Sequence, residues 1–407
     1  MTQTNSAPKK SGSPKKDAPK KGASGKTAAK AAPKPAPSTV YFAGLRARNA
    51  RENKISKVAA LFKAAGFGSF IPQDALIAVK AHFGERGNDT FINPVFARAV
   101  VDAIKAAGGK PFLTDSNTLY KGSRHNAVDH MITALEHGFS YATVGAPVLI
   151  ADGLRGSAFH TVTIGKKHFS TVKIASSIAE AESMIVLSHF KGHEMAGFGG
   201  AIKNLAMGCS PSQGKCEQHA SRFFINGDRC VACGQCVSHC PQDAIAFEKR
   251  EKRKVAVIDK ERCIGCGECL TVCRPKAVSL DWATEMEPFI ERMVEYAYGA
   301  TRGKEKRTGY ITFLMNITPD CDCAAWSDTP LVPDIGILAS TDPVALDKAC
   351  LDLVNAEPGF HSSLLSCGHG KGEDKFKGAW SHTRGDVQIS YAEKVGLGSS
   401  RYELVRL

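Results

Sequence analysis

The sequence lacks any run of about 18 or more apolar residues, the length at which a helix can cross a bilayer. Its N-terminus also lacks the apolar core of a secretory signal and the twin-arginine pattern. The 407 residues are 43% hydrophobic and 23% charged, a globular composition with room for about two or three domains. We therefore expect a soluble cytoplasmic protein with no membrane span.

Residues 1–38 lack any large apolar side chain beyond Met1, and their nine lysines and single acid, Asp17, give +8 of the net charge of +13. Such a segment cannot bury a core, so we expect a disordered basic tail. The tail is either a solvated extension or a weak electrostatic tether to nucleic acid, an anionic membrane or an acidic partner. No aromatic residue interleaves with the lysines, so any binding of nucleic acid is expected to be weak.

Fourteen cysteines in a chain without a signal sequence indicate metal binding rather than disulfides. Two motifs of the form C-x2-C-x2-C-x3-C, whose flanks CPQDAIAF and CRPKAVSL also repeat, mark an internal duplication. Three cysteines of such a motif bind three irons of one cubane, and the fourth reaches the other cluster. We therefore expect one [4Fe–4S] cluster on Cys230, Cys233, Cys236 and Cys273, and a second on Cys263, Cys266, Cys269 and Cys240.

Residues 222–281, which contain both motifs, resemble bacterial-type two-cluster ferredoxins. The resemblance implies an inserted electron-transfer domain that works with a redox partner protein. Between the motifs, AIAFEK and VAVID alternate apolar and polar residues and predict a hairpin. Its turn, KREKRK, is either a solvated surface turn or a contact for an acidic redox partner.

Strand and helix signals alternate through residues 39–221 and resume in residues 282–407. Apolar runs such as KPFLTD, SMIVLSH and IGILAS predict strands, while NPVFARAVVDAIKAAGG and DPVALDKACLDLVN predict helices capped by Asn93 and Asp342. This alternation predicts an α/β fold, a parallel sheet with flanking helices, in one discontinuous domain interrupted by the cysteine motifs. Two independent flanking domains are the alternative.

Several motifs outside the cysteine repeats are distinctive: GHEMAGFGGAIKNLAMGC at 192–209, the group Gly214, Lys215 and His219, NITPDCDCAAWSD at 316–328, and DPVALD at 342–347. On these motifs residues 39–407 resemble the domain of unknown function 362 family, which commonly carries a ferredoxin insertion. The resemblance implies the fold and the cofactors, but it assigns no reaction.

His193 follows the strand SMIVLSH, and ligands of open α/β sheets usually bind at the carboxyl ends of strands. The glycines after it would let backbone approach a ligand at the start of a helix, where free N–H groups suit an anion. Lys203 on that helix would pair with the anion or act as a base or nucleophile. We expect catalytic roles for His193, Lys203 and His219 and cofactor binding at Gly197, Gly199 and Gly200, against the alternative of ordinary structural residues.

The spacing of His193, Lys203 and His219 is similar to that in nickel-pincer lactate racemase. In that family the lysine holds the pincer cofactor, the last histidine binds nickel and the first is an acid or base, so the resemblance implies these roles here. Other thiols have several interpretations. Cys209 and Cys216 are redox-active, metal-binding or core residues, and Cys321 and Cys323 are expected near the same crevice.

Three functions fit these patterns. The first is a ferredoxin-type oxidoreductase that delivers electrons to an anionic substrate or cofactor in the α/β domain. The second is a non-catalytic electron carrier or redox sensor. The third is a non-redox enzyme, racemase-like or a transferase, in which the clusters are structural.

Overall fold

The computed structural model describes residues 36–120, 122–219, 222–240, 243–250, 253–260, 262–263, 269, 272–281 and 286–407. Most of the predicted tail, residues 1–38, lies outside the described residues, because these begin at position 36. Strands within it are β1 (Ser38–Gly44), β2 (Leu76–Lys80), β3 (Lys110–Asp115), β4 (Val148–Ile150), β5 (Phe159–Thr163), β6 (Thr171–Ala175), β7 (Ser183–His189), β8 (Lys191–His193), β9 (Gly197–Gly199), β10 (Arg222–Ile225), β11 (Ile245–Arg250), β12 (Arg253–Ile258), β13 (Val278–Asp281), β14 (Thr308–Leu314), β15 (Gly336–Ser340) and β16 (Tyr402–Arg406).

The helices of the described residues begin where the sequence supplies caps. The Asn93 side chain accepts from the amide of Val95, and Asp342 accepts from the amides of Val344 and Ala345, which confirms both predicted caps. The α-helices are α1 (Lys54–Ala64), α2 (Pro94–Ala106), α3 (Ala127–Glu136), α4 (Tyr141–Val144), α5 (Ser176–Glu180), α6 (Ala201–Ala206), α7 (Ser212–His219), α8 (Gln235–Ser238), α9 (Met286–Thr301), α10 (Pro343–Ala356), α11 (Lys375–Ala379) and α12 (Gly385–Val395). Among the described helices, none has the length and apolar character needed to cross a membrane.

Eight strands pair in the order β16-β1-β15-β14-β7-β2-β3-β4. Neighbouring strands from β14 to β4 are parallel, and β15 alone runs antiparallel to both of its neighbours. The prediction of an α/β fold with flanking helices is therefore confirmed, whereas the sheet, predicted to be parallel, is mostly parallel with one antiparallel strand. Strands β14 and β15 follow the cysteine motifs in sequence but lie between β1 and β7, so both halves of the chain build one sheet.

Side-chain alternation along the buried strands divides the apolar core between the two faces of the sheet. In β7, Met184 and Val186 pack on the face covered by α6, α9 and α10, whereas Ile185 and Leu187 pack on the face covered by α1 and α2. Because both faces are covered, β7 is buried along its whole length.

The segment with the cysteine motifs forms two antiparallel ribbons, β10 with β13 and β11 with β12. The second ribbon is the hairpin predicted from AIAFEK and VAVID. In the first ribbon Arg222 is in register with Asp281, so the chain enters and leaves this segment on adjacent strands.

Candidate functional site

A cavity of about 220 Å³ lies where the parallel strands β14, β7, β2 and β3 end. His82 follows β2, Asp115 ends β3, His189 ends β7, and Cys321 lies in the loop after β14; all four line the cavity. Carboxyl ends of neighbouring parallel strands meet at one edge, which is where open α/β sheets bind ligands.

The structure brings the three predicted catalytic residues together, because His193, Lys203 and His219 all line this cavity. They reach it from different elements: β8 carries His193, α6 carries Lys203 and α7 ends at His219. The protonation state of each side chain depends on its burial and on its neighbours in the cavity.

Lys203 is a buried cation beside a thiol. Its Nζ donates to Cys321 Sγ at 3.4 Å. Although burial opposes the charged form, the neighbouring Cys321 and Cys323 raise the pKa of Lys203 above its ordinary value. Lys203 therefore stays protonated, which suits it to hold an anion rather than to act as a base at neutral pH.

His193 is a neutral imidazole whose orientation the backbone fixes. Its Nδ1 accepts from the amides of Met195 and Ala196, both at 3.1 Å. Burial, followed by the charge of Lys203, holds the pKa of His193 well below its ordinary value. Because Nδ1 is an acceptor, the proton of the neutral ring is carried by Nε2.

His219 stacks on Phe289 with ring centroids 4.9 Å apart. Burial, and after it the charge of Lys203, lowers the pKa of His219 to about 4, so this ring is also neutral at pH 7. An uncharged imidazole can act as a base or as a metal ligand.

The start of α6, where an anion site is predicted, already holds a carboxylate of the protein itself, that of Asp347. The Asp347 carboxylate accepts from the amides of Ala201 at 2.8 Å and Ile202 at 2.9 Å. A Cβ on Gly200 would lie 2.4 Å from Asp347 Oδ1. Gly200 is therefore needed for close approach of α6 to α10, and burial raises the pKa of Asp347 to about 7.

Two other predicted glycines serve the protein's own packing. A Cβ on Gly197 would lie 2.7 Å from the Cα of Gly385, and Gly197 has φ of +83°, which other residues rarely adopt. Gly199 does line the cavity, where an added Cβ would lie 3.4 Å from the Lys203 side chain. Gly199 and Gly200 line the cavity wall and Gly197 does not, and the cofactor-binding roles predicted for them stay predictions.

Sequence reasoning missed Arg124, a fully charged group in the cavity wall. Arg124 donates to Glu85 Oε2 at 3.1 Å and to the Tyr120 hydroxyl at 2.8 Å, and its side chain is 2% exposed. No local pattern marks it, because its partner Glu85 lies in the loop after β2, 39 residues earlier in the chain.

Lys215 is a second cation that was not predicted as a site residue, although it belongs to the motif with Gly214 and His219. Its Nζ donates to Ser116 Oγ at 2.7 Å and to the carbonyl of Ser210 at 2.6 Å. Burial lowers the pKa of Lys215 to about 8, against the opposing charge of Asp152. It adds a buried cation to a wall that contains Lys203 and Arg124 and also the carboxylates of Asp115 and Glu194.

Among the remaining cysteines, Cys209 and Cys350 are fully buried core residues and Cys216 is nearly so. Burial raises the pKa of Cys209 to about 11, which makes it a poor nucleophile. Cys321 and Cys323 both line the cavity, as expected for the loop that carries them.

The first cysteine motif encloses a second, smaller pocket. Its wall contains apolar side chains, among them Ile225, Phe247 and Val278. The same wall contains four thiols, three from the first motif and one from the second: Cys230, Cys233, Cys236 and Cys273. Burial, and then the proximity of these thiols, raises the pKa of Cys236.

The described residues that flank the two motifs make matching, crossed hydrogen bonds. The amide of Asn226 donates to the carbonyl of Ala277 at 2.8 Å, and its equivalent Asp259 donates to Ala244 at 2.7 Å. The fourth cysteines also match, since Cys240 Sγ accepts from Ala244 and Cys273 Sγ accepts from Ala277. The residues that follow each motif therefore hydrogen-bond to the residues that precede the other motif.

Six of the eight motif cysteines and Phe223 pack into, or against, one apolar cluster; a further described one, Cys233, is exposed. Cys266 lies outside the described residues. Within the described ranges, which omit Cys266, no group of three or more His, Cys, Asp or Glu side chains is arranged to hold a single metal ion. Phe223 is 2% exposed and also lines the cavity at the strand ends, so one side chain joins both regions.

Two solved structures show similarity to the chain at low identity. The lactate racemase apoprotein from Thermoanaerobacterium thermosaccharolyticum is 12% identical with a TM-score of 0.32, over 63% of this chain and 49% of that one. A protein from Thermotoga maritima is 9% identical with a TM-score of 0.35, over 74% of this chain and 58% of that one. The chain thus spans only about half the length of these structures.

No curated protein sequence matches the chain. The model of one sequence family, described as "Domain of unknown function (DUF362)", matches residues 77–352, which is more than half of the chain. The protein therefore belongs to the DUF362 family.

Proposed function

We propose that residues 222–281 are an inserted ferredoxin-type domain with two [4Fe–4S] clusters, and that the protein is an oxidoreductase delivering electrons to an anionic substrate or cofactor in the cavity. The position of Phe223 carries this proposal. Phe223 belongs to the apolar cluster around the motif cysteines and also forms part of the cavity wall. A redox centre and a ligand site that share a buried side chain are close enough to be coupled.

The thiols of the smaller pocket fit the first cluster. Although Cys273 belongs to the second motif, it lines the same pocket as the three leading cysteines of the first motif. This crossed contribution is what two-cluster spacing requires. The second set would comprise Cys240, Cys263, Cys269 and, outside the described residues, Cys266. When bound, such clusters supply single electrons at low potential.

Backbone amides would stabilise the ligating thiolates. Cys273 Sγ accepts from Ala277 at 3.1 Å and from Val278 at 3.4 Å, while Cys240 Sγ accepts from Ala244 at 3.2 Å. Hydrogen bonds to the sulfurs favour the thiolate form and are one determinant of cluster potential. The apolar side chains of the pocket wall, which would limit contact of a cluster with water, are a second determinant of its potential.

The cavity supplies charge and protons for a reduction. Arg124 and Lys203 are fixed cations and Lys215, with a pKa of about 8, is mostly protonated at pH 7, so an anion binds favourably. His193 holds a proton on Nε2 in the cavity wall and can donate a hydrogen bond to a bound ligand, while Lys215, with a pKa of about 8, can transfer a proton to a reduced one.

A redox partner protein would deliver electrons at the outer side of the inserted domain. Cys233 is exposed there, and Val231 beside it is 68% exposed. The basic turn contributes exposed Lys249, Arg250, Arg253 and Lys254. An acidic partner surface matches this charge.

The proposal is tested with anaerobically purified protein, by mass spectrometry of any co-purified small molecule and by reoxidation of the dithionite-reduced protein with candidate carboxylates and phosphates. We expect the Lys203→Ala variant to lose about tenfold or more in reoxidation rate, because an anion then meets a site without its buried cation. Lys110→Ala is the control, since Lys110 is 61% exposed and far from the site in the fold. Equal rates for wild type and Lys203→Ala would remove Lys203 from the site.

A non-redox reaction is the second candidate, because His193, Lys203 and His219 converge on one cavity at the spacing noted for nickel-pincer lactate racemase. Elemental analysis separates the two: nickel bound alongside iron supports the second candidate. Iron and sulfide without nickel, together with a reducible ligand, support the first. A bound ligand of either kind counts against a simple electron carrier.

A further inference from the structure

Two cysteines at the carboxyl edge of the sheet belong to neither cysteine motif. Cys321 and Cys323 lie in the loop after β14, and both line the cavity. The amide of Ala324 donates to the carbonyl of Cys321 at 2.9 Å, which closes a β-turn that holds both thiols. Neither the cluster assignment nor the DUF362 description gives these residues a role.

The turn is held rigidly by the residue between the two thiols. Asp322 is completely buried, and its carboxylate contacts His189 Nδ1 at 2.9 Å and Lys191 Nζ at 3.1 Å. These partners lie on β7 and β8, so the backbone between the cysteines is anchored to the sheet. Both side chains are thereby kept at the cavity wall.

Cys321 has the surroundings of a reactive thiolate. Lys203 Nζ lies 3.4 Å from its sulfur. A hydrogen bond from Cys323 lowers the pKa of Cys321 well below the ordinary thiol value; burial opposes this effect, and the charge of Lys203 adds to it. The same hydrogen bond raises the pKa of Cys323. One sulfur is thus prepared to attack and the other holds a proton, the division of roles found in redox dithiols.

We propose that Cys321 and Cys323 are a redox-active dithiol that closes reversibly to an intrachain disulfide within the cavity. Cys321 and Cys323 are separated by one residue, so even an extended chain would place their Cα atoms only about 7 Å apart. The turn shortens this separation, which brings the two cysteines into the range of about 4.4–6.8 Å over which a disulfide can form. A ring this small is strained, so the disulfide should be easily reduced.

The exchange balances with a low-molecular-weight disulfide as the oxidant. The Cys321 thiolate attacks one sulfur of that disulfide, forms a mixed disulfide and releases one thiolate. Cys323 then gives up its proton and attacks the Cys321 sulfur, which expels the second thiolate. In the reverse direction the Cys321–Cys323 disulfide takes up two electrons and one proton, because Cys321 stays a thiolate beside Lys203 and the proton returns to Cys323.

The other buried thiols do not share this arrangement. Cys209 and Cys350 are fully buried, and burial raises the pKa of each thiol, well above the ordinary value in the case of Cys350. Neither lines the cavity wall. They serve as internal controls in the same sample.

The test follows the wild-type protein through redox buffers and does not depend on its iron content, so its failure is distinct from failure of the proposed function. Anaerobic protein is equilibrated in mixtures of reduced and oxidised glutathione, blocked with N-ethylmaleimide and digested. Mass spectrometry should show the peptide with Cys321 and Cys323 passing from a doubly blocked form to a form lighter than the free dithiol by two hydrogens. A peptide that is doubly blocked in every mixture, or that forms only glutathione adducts, would overturn the proposal.

Two variants test the assigned roles. Cys323→Ser should trap Cys321 as the glutathione mixed disulfide, because no second thiol can displace it. Lys203→Gln should move the pH at which blocking of Cys321 is half-maximal upward by about one unit, as expected when a thiolate loses a neighbouring cation. An unchanged pH profile of blocking in Lys203→Gln, or no trapped adduct in Cys323→Ser, contradicts the role of Cys321 as the attacking thiolate.

Discussion

At the scale of single residues, the motif DPVALD carries two different structural tasks. Asp342 caps α10, the helix that follows it, whereas Asp347 accepts from amides of α6, a helix about 146 residues earlier in the chain. The first task is readable from sequence because a cap and its helix are adjacent. The second is not, because only the folded sheet brings the two helices together. The sequence therefore could not show that a carboxylate of the protein itself lies at the start of α6.

Asp347 should give the protein a measurable pH dependence. Its pKa is about 7 when folded and near 3.8 when unfolded, so the folded state keeps a proton that the unfolded state has lost. The free energy of unfolding therefore falls as pH rises between these values. We expect the free energy of unfolding of Asp347→Asn, relative to that of wild type, to rise by about 2 kcal/mol from about pH 5 to pH 7. Guanidinium unfolding at several pH values measures this, and a difference that stays constant with pH contradicts it.

At the scale of elements, local patterns identified most of the sheet. The buried strands β3, β7 and β15 were each predicted, since a short apolar run bounded by turn residues needs no distant information. The antiparallel direction of β15 and the small ribbons β5–β6 and β8–β9 were not predicted. Direction and pairing depend on contacts across the sheet, which local periodicity does not contain.

The packing of α6 on α10 requires a residue without a side chain at position 200. Gly200→Ala would place a Cβ 2.4 Å from Asp347 Oδ1 and 2.8 Å from the Phe190 ring, so the two elements must move apart. We expect the free energy of unfolding to fall by about 1–3 kcal/mol. In the control Gly68→Ala the nearest atom is 3.7 Å away, and a change below about 1 kcal/mol is expected. Equal effects of the two substitutions would show that this contact is not limiting.

At the scale of the whole molecule, the cysteine-rich segment interrupts a sheet that both halves of the chain build. Strands β14 and β15 come after the segment and lie between β1 and β7, which come before it. The site shares this property: His193, Lys203 and His219 precede the segment, whereas Cys321 and Cys323 follow it. Sequence patterns found the members of each half, but Arg124 and Lys215 were recognised as site residues only through the fold.

Excision of residues 223–280 should therefore leave the sheet folded. Arg222 and Asp281 are in register on adjacent strands, so a short Asn–Gly turn can join them. We expect this variant to be soluble and free of iron, with a cooperative thermal transition by circular dichroism. The matched truncation that ends at residue 281 loses the central strands β14 and β15 and should not fold. Folding of the truncation would mean that residues 36–221 form a domain of their own.

The central claim, that this chain carries two iron–sulfur clusters for electron transfer, is tested most directly on anaerobically purified wild-type protein. The measurement is iron and acid-labile sulfide per chain, combined with electron paramagnetic resonance after reduction with dithionite. The proposed function predicts about eight iron atoms and eight sulfides per chain, with the signal of two interacting reduced [4Fe–4S] clusters. Zinc in place of iron, or fewer than about one iron per chain without labile sulfide, would contradict it.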